Sequence, residues 1–137
     1  MAVKKMIEVD VMFPVLVTES LASVKQFYET AFGFTAVFYE PNFYLHLISP
    51  NHSIQVGFLL PDLVSQPEFL HPLMTTDGFV LSLETKDAAV AYSKAQKMGL
   101  KIIMDLKQEP WGQLHFMVQD PAGFRIDVIQ HLKSTNN

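Results

Sequence analysis

Apolar and polar side chains alternate along two neighbouring stretches in the second half of the chain. In residues 113–119 every second side chain is Leu, Phe or Val, and residues 124–130 repeat the pattern with Phe, Ile and Val. Because successive side chains of a β-strand point to opposite faces, each stretch is predicted to form a strand with one wholly apolar side. We expect a helix over that side and a site wall on the other, which carries Trp111, Gln113, His115, Met117, Arg125 and Asp127.

Residues 120–123, with the sequence Asp-Pro-Ala-Gly, predict a tight hairpin between the two strands. Proline suits the second position of a type I turn, and Gly123 can adopt the left-handed conformation of a three-residue bulged loop. This turn places Met117 opposite Asp127. His115 then lies diagonally across from Asp127, within reach of its carboxylate.

The same order of elements is predicted twice along the chain. Each half has a strand, a helix and three further strands; the helix caps are Ser20 and Asp87, and the helices end at Gly33 and Gly99. The predicted strands are residues 11–18, 34–39, 43–48 and 53–59, then residues 79–84, 101–105, 113–119 and 124–130. Because neither half can bury the apolar side of its sheet alone, we expect the two βαβββ halves to pair.

Length and composition limit the possible classes of protein. A chain of 137 residues, 49% of them hydrophobic, is large and apolar enough for one compact domain. We predict a single domain over residues 1–137, with modules at about 10–60 and 78–131. Between them, residues 61–77 form an irregular, proline-bearing linker that could cover the site.

Charge and cysteine content exclude further classes of partner and of chemistry. The net charge is −4, and no cluster of Lys or Arg marks a surface for nucleic acid or for an anionic membrane, so neither partner is expected. The absence of cysteine excludes disulfides, thiol nucleophiles and thiolate metal ligands. No stretch resembles a signal peptide or a membrane span, which predicts a cytoplasmic protein.

The first half supplies a second group of site candidates. In residues 43–48 the two leucines take the apolar side, which leaves Tyr44 and His46 on the opposite side beside Gln55. Aromatic residues at strand spacing most often belong to the core, so these three are better candidates than the neighbouring phenylalanines.

Several of the candidate site residues can be interpreted in two ways. Trp111 is either a rim aromatic that closes the sheet edge or a plate on which a planar or cationic ligand stacks. His115 and Asp127 form either a hydrogen-bonded pair in a polar core or a base with its orienting carboxylate. Arg125 could neutralise Asp127 or hold an anionic ligand.

The chain resembles the vicinal oxygen chelate superfamily, which includes glyoxalase I, extradiol dioxygenases, fosfomycin-resistance enzymes and bleomycin-resistance proteins. The similar features are the paired βαβββ pattern, Ser-Leu, Phe-Tyr and Gly-Phe pairs within residues 20–34, and Pro-Trp-Gly at 110–112 before the turn at 120–123. The resemblance covers about residues 10–131. It implies an α+β fold with a cupped mixed sheet, helices on its outer face, and a homodimer with sites at the subunit junction.

The resemblance also bears on metal binding. Metal-using members place His, Gln or Glu ligands at four inward positions, which correspond here to Phe13, about Gln55, Val80 and Asp127. Phe and Val cannot bind a cation, so the resemblance implies that the usual metal site is missing and that no cofactor is needed. The alternative is a displaced site in which His46, His115 and Asp127 hold Zn²⁺, Ni²⁺ or Fe²⁺.

We therefore expect metal-independent binding of a small aromatic or cationic molecule, similar to that of bleomycin-resistance proteins, with no catalytic residue. Trp111 and the aromatic first half would hold the ligand, and Gln55, His115 and Asp127 would orient it. One alternative is a glyoxalase-like, metal-dependent lyase or isomerase, or a dioxygenase. Another alternative is a structural or partner-binding protein whose cupped sheet binds no small molecule.

Overall fold

The fold is α+β and consists of two βαβββ modules, as predicted. The computed structural model describes residues 6–133. Both ends of the predicted domain, residues 1–137, lie outside the described residues. The first module contains β1 (Val15–Val17), α1 (Leu21–Phe32), β2 (Thr35–Glu40), β3 (Tyr44–Ile48) and β4 (Gln55–Leu59). The second contains β5 (Val80–Glu84), α2 (Ala88–Lys97), β6 (Lys101–Glu109), β7 (Gln113–Gln119) and β8 (Arg125–His131). Within residues 6–133, neither helix has the length and apolar character to cross a membrane.

The strands form two four-stranded mixed sheets, with the orders β1-β4-β3-β2 and β5-β8-β7-β6. In each sheet the first strand of the module pairs in parallel with the last, and the remaining neighbours are antiparallel. The central strands β3, β4, β7 and β8 therefore carry all the site candidates that lie within strands.

Both modules contribute to one hydrophobic core. The apolar sides of the two sheets and the two helices supply its members, among them Leu45, Leu47, Phe116, Ile126 and Ala95. The rings of Phe58 and Phe124 lie 6.2 Å apart across the two modules. The hydroxyl of Tyr28 on α1 donates a 2.8 Å hydrogen bond to the buried carboxylate of Asp120 in the second module. Burial of apolar surface from both modules thus stabilises a single unit.

The hairpin between β7 and β8 has the predicted register. Met117 lies opposite Asp127, and Gly123 adopts the left-handed conformation with φ of +93°. The Asp120 carboxylate accepts the backbone N–H groups of Ala122 and Phe124, both at 2.9 Å. This turn fixes which residues of the two strands share a face.

Some predicted boundaries are wrong. β1 begins at Val15 rather than at residue 11: Val15 is the first residue paired with β4, and Pro14 before it has no backbone N–H to donate. β6 continues to Glu109 rather than ending at 105, because its residues 107–109 pair with residues 113–115 of β7. Ser20 precedes α1 but its side chain makes no capping hydrogen bond, whereas Asp87 accepts the N–H of Val90 at 3.0 Å.

The linker is irregular, as expected, apart from one turn of 3₁₀ helix at Glu68–Leu70. The backbone N–H of Met74 donates to the carbonyl of Val17 at 3.0 Å, and its side chain packs against the core. Farther along, Asp77 pairs with Arg125 at 3.1 Å. These contacts join the linker to β1 and to the start of β8. That it covers the candidate site stays a prediction.

Candidate functional site

Each sheet has one face packed on the core and one face turned away from it, which we call the open face. On β7 and β8 the core takes even-numbered side chains, and on β3 it takes Leu45 and Leu47. The open faces therefore carry the polar candidates of the alternating pattern. They are Tyr44, His46 and Gln55 on the first sheet, and Gln113, His115, Met117, Arg125 and Asp127 on the second.

The first cluster is a hydrogen-bonded chain of Tyr44, His46 and Gln55. The Tyr44 hydroxyl lies 2.7 Å from Nδ1 of His46, and Nε2 of His46 lies 2.7 Å from Oε1 of Gln55. Because an amide oxygen only accepts, Nε2 carries a proton; in the neutral tautomer Nδ1 then accepts from the tyrosine. The ring of Phe13 packs edge-on against the imidazole, with centroids 4.6 Å apart. His46 is thus held through both ring nitrogens by uncharged partners in an aromatic setting.

Gly57 on β4 makes room for this chain. It lies opposite His46 across the β3–β4 pair, and a β-carbon at this position would overlap the hydroxyl and ring of Tyr44. Glycine lets the tyrosine side chain extend over β4 and reach the imidazole. Partial burial raises the pKa of Tyr44, so its hydroxyl keeps the proton that it donates.

The second cluster places the buried imidazole of His115 between two carboxylates. Nδ1 lies 2.8 Å from Oδ1 of Asp127, and Nε2 lies 2.9 Å from Oε2 of Glu109. Since ionised carboxylates only accept, His115 donates through both ring nitrogens and is an imidazolium. The ammonium group of Lys107 lies 3.4 Å from the other oxygen of Glu109. Two anions and two cations therefore alternate across this face.

The pKa values of the second cluster favour its charged state. Burial has the largest single effect on His115 and lowers its pKa, but the bonds and charges of Glu109 and Asp127 together raise that pKa above its usual value. The pKa of Glu109 is lowered, chiefly by the hydrogen bond from His115. With both ring nitrogens donating, His115 offers neither a lone pair for a metal nor a base. This arrangement favours the hydrogen-bonded pair over the catalytic base.

Trp111 stands beside this cluster in the turn that joins β6 and β7. Its side chain is 68% exposed, and its indole N–H donates to Oε1 of Gln113 at 2.9 Å. Gln113 precedes His115 by two residues on β7, so both side chains lie on the open face. The indole is therefore attached to the polar face while much of its ring remains accessible to a ligand.

Arg125 does not neutralise Asp127, contrary to one expectation from the sequence. Its guanidinium pairs with Asp77 at 3.1 Å, whereas Asp127 is bonded to His115. The reason is local: Arg125 lies opposite Val80 at the start of β5, and Asp77 lies three residues before Val80 in the chain. Arg125 thereby ties the linker to the second sheet.

A divalent metal does not fit the four positions that the resemblance implies. Phe13 and Val80 have no donor atom, and Gln55 and Asp127 are already bonded to histidines. The displaced triad is not assembled either, because its two histidines have separate partners in separate modules. Within residues 6–133, no group of three His, Cys, Asp or Glu side chains is placed to hold a metal ion.

Glu109 is the site residue that the sequence pattern does not single out. The polar run from Lys107 to Glu109 lacks alternation, which hides the end of β6. The signal that could have found it is the Pro-Trp-Gly turn at 110–112, since a hairpin there pairs Glu109 with Gln113.

Solved structures share this fold at low sequence identity. A member of the glyoxalase/bleomycin resistance protein/dioxygenase superfamily from Sphaerobacter thermophilus has a TM-score of 0.70 at 22% identity, over 90% of this chain and 98% of that chain. The lactoylglutathione lyase from Agrobacterium tumefaciens has a TM-score of 0.71 at 16% identity, with 88% and 92% covered. The bleomycin resistance determinant encoded on transposon Tn5 has 0.65 at 21%, with 90% and 98% covered. These likenesses establish the fold alone.

Sequence comparison assigns the family. No curated protein matches the chain. The family model described as Glyoxalase/Bleomycin resistance protein/Dioxygenase superfamily matches residues 11–128, which span both modules. Together with the paired βαβββ fold, this match shows that the chain belongs to the glyoxalase/bleomycin resistance protein/dioxygenase superfamily.

Proposed function

We propose that this protein binds a small planar aromatic or cationic organic molecule without a metal and without turnover, as a sequestering or sensing protein. The observation that carries the proposal is the state of the two open-face histidines. Each has both ring nitrogens engaged by neighbouring side chains. Such groups suit fixed polar contacts in an apolar pocket better than acid–base or metal chemistry.

The aromatic wall of the first sheet supports a planar ligand. Phe13 is 40% exposed and Phe38 is 49% exposed, and both lie beside the chain of Tyr44, His46 and Gln55. Large aromatic side chains that remain in water near satisfied polar groups are typical of the walls of a ligand site. They would supply stacking area, while the polar chain would orient the ligand.

The second sheet supports a ligand that carries positive charge. Trp111 presents an exposed indole, whose face attracts cations. On the same sheet, the carboxylates of Glu109 and Asp127 lie on either side of the His115 imidazole. A cationic aromatic molecule would be held by stacking on Trp111, since the two carboxylates are already paired with His115 and Lys107. Sequestration in the manner of the bleomycin-resistance members is the function that this combination supports best.

A homodimer is part of the proposal. The open faces carry exposed apolar side chains, including Val15 and Val80 on the edge strands β1 and β5. An isologous dimer would cover such faces and could bring the two clusters of different subunits around one ligand. Each subunit pair would then hold two equivalent sites.

Trp111 makes the proposal directly testable, because it is the only tryptophan of the chain. Chelator-treated protein would be titrated with planar aromatic cations and their neutral isosteres, with tryptophan fluorescence as the readout. We expect a saturable change for at least one cation, with an affinity that added Zn²⁺, Ni²⁺ or Fe²⁺ leaves unaltered. Calorimetry should show a loss of about tenfold in affinity for Trp111→Ala, the scale of a cation–π contact.

The matched control is Phe69→Ala, which removes an aromatic side chain that is 79% exposed in the linker. It should bind like the unmodified protein. Binding that requires a metal, or turnover that a chelator abolishes, would overturn the proposal in favour of a glyoxalase-like lyase or a dioxygenase. Failure of every compound in the panel would equally count against it.

A further inference from the structure

A cavity of about 390 Å³, which we call the helix-side cavity, lies between the two modules on the side of the sheets away from the open faces. Its floor is formed by Phe116, Val118 and Val128, which point from β7 and β8 toward the core. Among the described residues that line it, none belongs to the two open-face clusters. The cavity is therefore separate from the candidate functional site. Its volume lies within the range of about 300–1,000 Å³ that is typical of small-molecule sites.

The helix-side cavity follows from a difference between the two helices. Counted from their caps, α1 has Val24 and Tyr28 at the positions where α2 has Ala91 and Ala95. The two larger side chains are completely buried and fill the space beneath α1. The two alanines line the cavity, because their short side chains leave space between α2 and the sheets. Since apolar surface gains free energy when it leaves water, an apolar space of this size favours an apolar ligand.

The lining favours a flexible hydrocarbon body over a planar one. Aliphatic side chains from both modules predominate in it, among them Ile54, Leu83 and Leu100. Its aromatic rings are engaged within the core. Phe32 and Phe34 pack against each other with centroids 6.1 Å apart, and Phe116 packs against Tyr92 at 5.3 Å. They differ in this from the exposed indole of Trp111, so methyl groups and ring edges are what the cavity offers to a ligand.

The mouth of the cavity offers hydrogen-bond donors. The exposed members of the lining are Pro50, Asn51, Glu84, Lys94 and Met98. Glu84 is paired with His131 at 2.9 Å, whereas Lys94 has no hydrogen-bond or ion-pair partner among residues 6–133. The side-chain oxygen of Asn51 accepts from the hydroxyls of Ser49 and Ser53, which leaves its amide NH₂ group as a donor. An ammonium and an amide donor together suit a carboxylate, whose oxygens only accept.

We propose that the helix-side cavity binds an aliphatic monocarboxylate. The hydrocarbon chain lies between α2 and the sheets, and the carboxylate lies at the mouth beside Lys94 and Asn51. Removal of the chain from water supplies most of the affinity, and the ion pair with Lys94 selects the head group. This site is independent of the proposed function, because it lies on the other side of the sheets from Trp111 and requires a ligand of opposite charge.

Calorimetric titration with three ligands of equal chain length tests the class of ligand. We expect saturable binding of octanoate at one site per chain. Binding of 1-octanol should be about fivefold weaker, the upper end of what an exposed ion pair contributes, and octylammonium should bind more weakly still. Equal affinities for octanoate and 1-octanol would overturn the anionic head group. Failure of every straight-chain carboxylate from butanoate to dodecanoate would overturn the site itself.

Ala91→Leu tests the location by filling the cavity. It should weaken octanoate binding by at least about tenfold, because the leucine side chain takes the place of the hydrocarbon chain. The control Ala89→Leu makes the same change at an exposed position of α2 and should bind like the unmodified protein. Equal octanoate affinities in the two variants would place the ligand elsewhere and overturn the inference. The Trp111 response to aromatic cations should be unaltered in both variants, so failure of one site is distinguishable from failure of the other.

Lys94→Gln tests the head-group contact without altering the core, since this side chain is exposed. The variant should bind octanoate and 1-octanol with equal affinity. The control Lys97→Gln removes a charge from the same last turn of α2 but outside the cavity lining, and should retain the preference for octanoate. A preference that survives in both variants, or is lost in both, would overturn the assignment of Lys94.

Discussion

At the scale of single residues, the two open-face histidines differ in the charge of their partners. His46 lies between a phenol and an amide, neither of which carries a charge. His115 lies between two carboxylates and donates through both nitrogens. Each histidine follows a leucine on the corresponding strand of its module. The two modules therefore repeat the position of the histidine but not the charge of its surroundings. One sheet therefore presents a histidine between uncharged partners, and the other presents a buried ion cluster.

Glu109→Gln tests the charged state of His115. The substitution removes one of the two carboxylates, so the pKa of His115 should fall toward its usual value. Because the pKa is raised in the folded protein, its contribution to stability is complete below the unfolded pKa and is lost as pH rises through the folded pKa. In the variant this loss should occur at lower pH. Ring ¹⁵N chemical shifts and urea unfolding across the pH range would measure both effects.

Glu84→Gln is the control for this prediction. It alters the pair of Glu84 and His131, which has the same 2.9 Å separation but is exposed to solvent. Since water screens exposed pairs, the titration of His115 should be unaffected by this variant. An unaltered His115 titration in Glu109→Gln would contradict the ion cluster.

At the scale of elements, the β7–β8 hairpin is positioned by Asp120 and Tyr28. Asp120 accepts two backbone N–H groups of its own turn and the hydroxyl of Tyr28 from α1, and all three bonds are short. Burial raises the pKa of Asp120, and these hydrogen bonds act in the opposite direction. The carboxylate therefore fixes the turn and also attaches the hairpin to the first module.

Tyr28→Phe should lower the free energy of unfolding by about 1–3 kcal/mol, because it leaves a buried carboxylate without one of its donors. Tyr92→Phe is a matched control, since the Tyr92 hydroxyl bonds to Asp105 at the same distance of 2.8 Å but at an exposed position. We expect little change from that control in urea denaturation. Equal losses in the two variants would show that burial of the Tyr28–Asp120 bond is unimportant.

The elements that could be predicted from sequence are those fixed by local chemistry. The register of the hairpin follows from residues 120–123, and the capping by Asp87 follows from its position before α2. The start of β1 could not be predicted, because it depends on the register in which β1 pairs with β4 in the folded sheet. Glu109 was missed as a site residue for a similar reason. Its strand identity comes from pairing with Gln113 rather than from its own pattern.

At the scale of the whole molecule, the two modules share one core, so we expect them to unfold as one cooperative unit. Phe58 of the first module is completely buried and contacts the ring of Tyr28 as well as that of Phe124 in the second module. The linker reinforces this unit through Met74, which bonds to β1 and packs on the same core. Stability lost in one module should therefore be lost by the other.

Phe58→Ala tests this coupling with a probe in the opposite module. Truncation of a buried phenylalanine costs about 3–5 kcal/mol, a large part of the roughly 5–15 kcal/mol that stabilises a typical domain. Trp111 belongs to the second module, so its fluorescence reports unfolding there, while circular dichroism reports both modules. If the core is shared, the midpoints from both probes should fall together, and Phe69→Ala at an exposed linker position should shift neither. A Trp111 midpoint that stays in place while circular dichroism reveals early unfolding would mean that the modules are independently stable. The open faces would then be supported by two separate folding units.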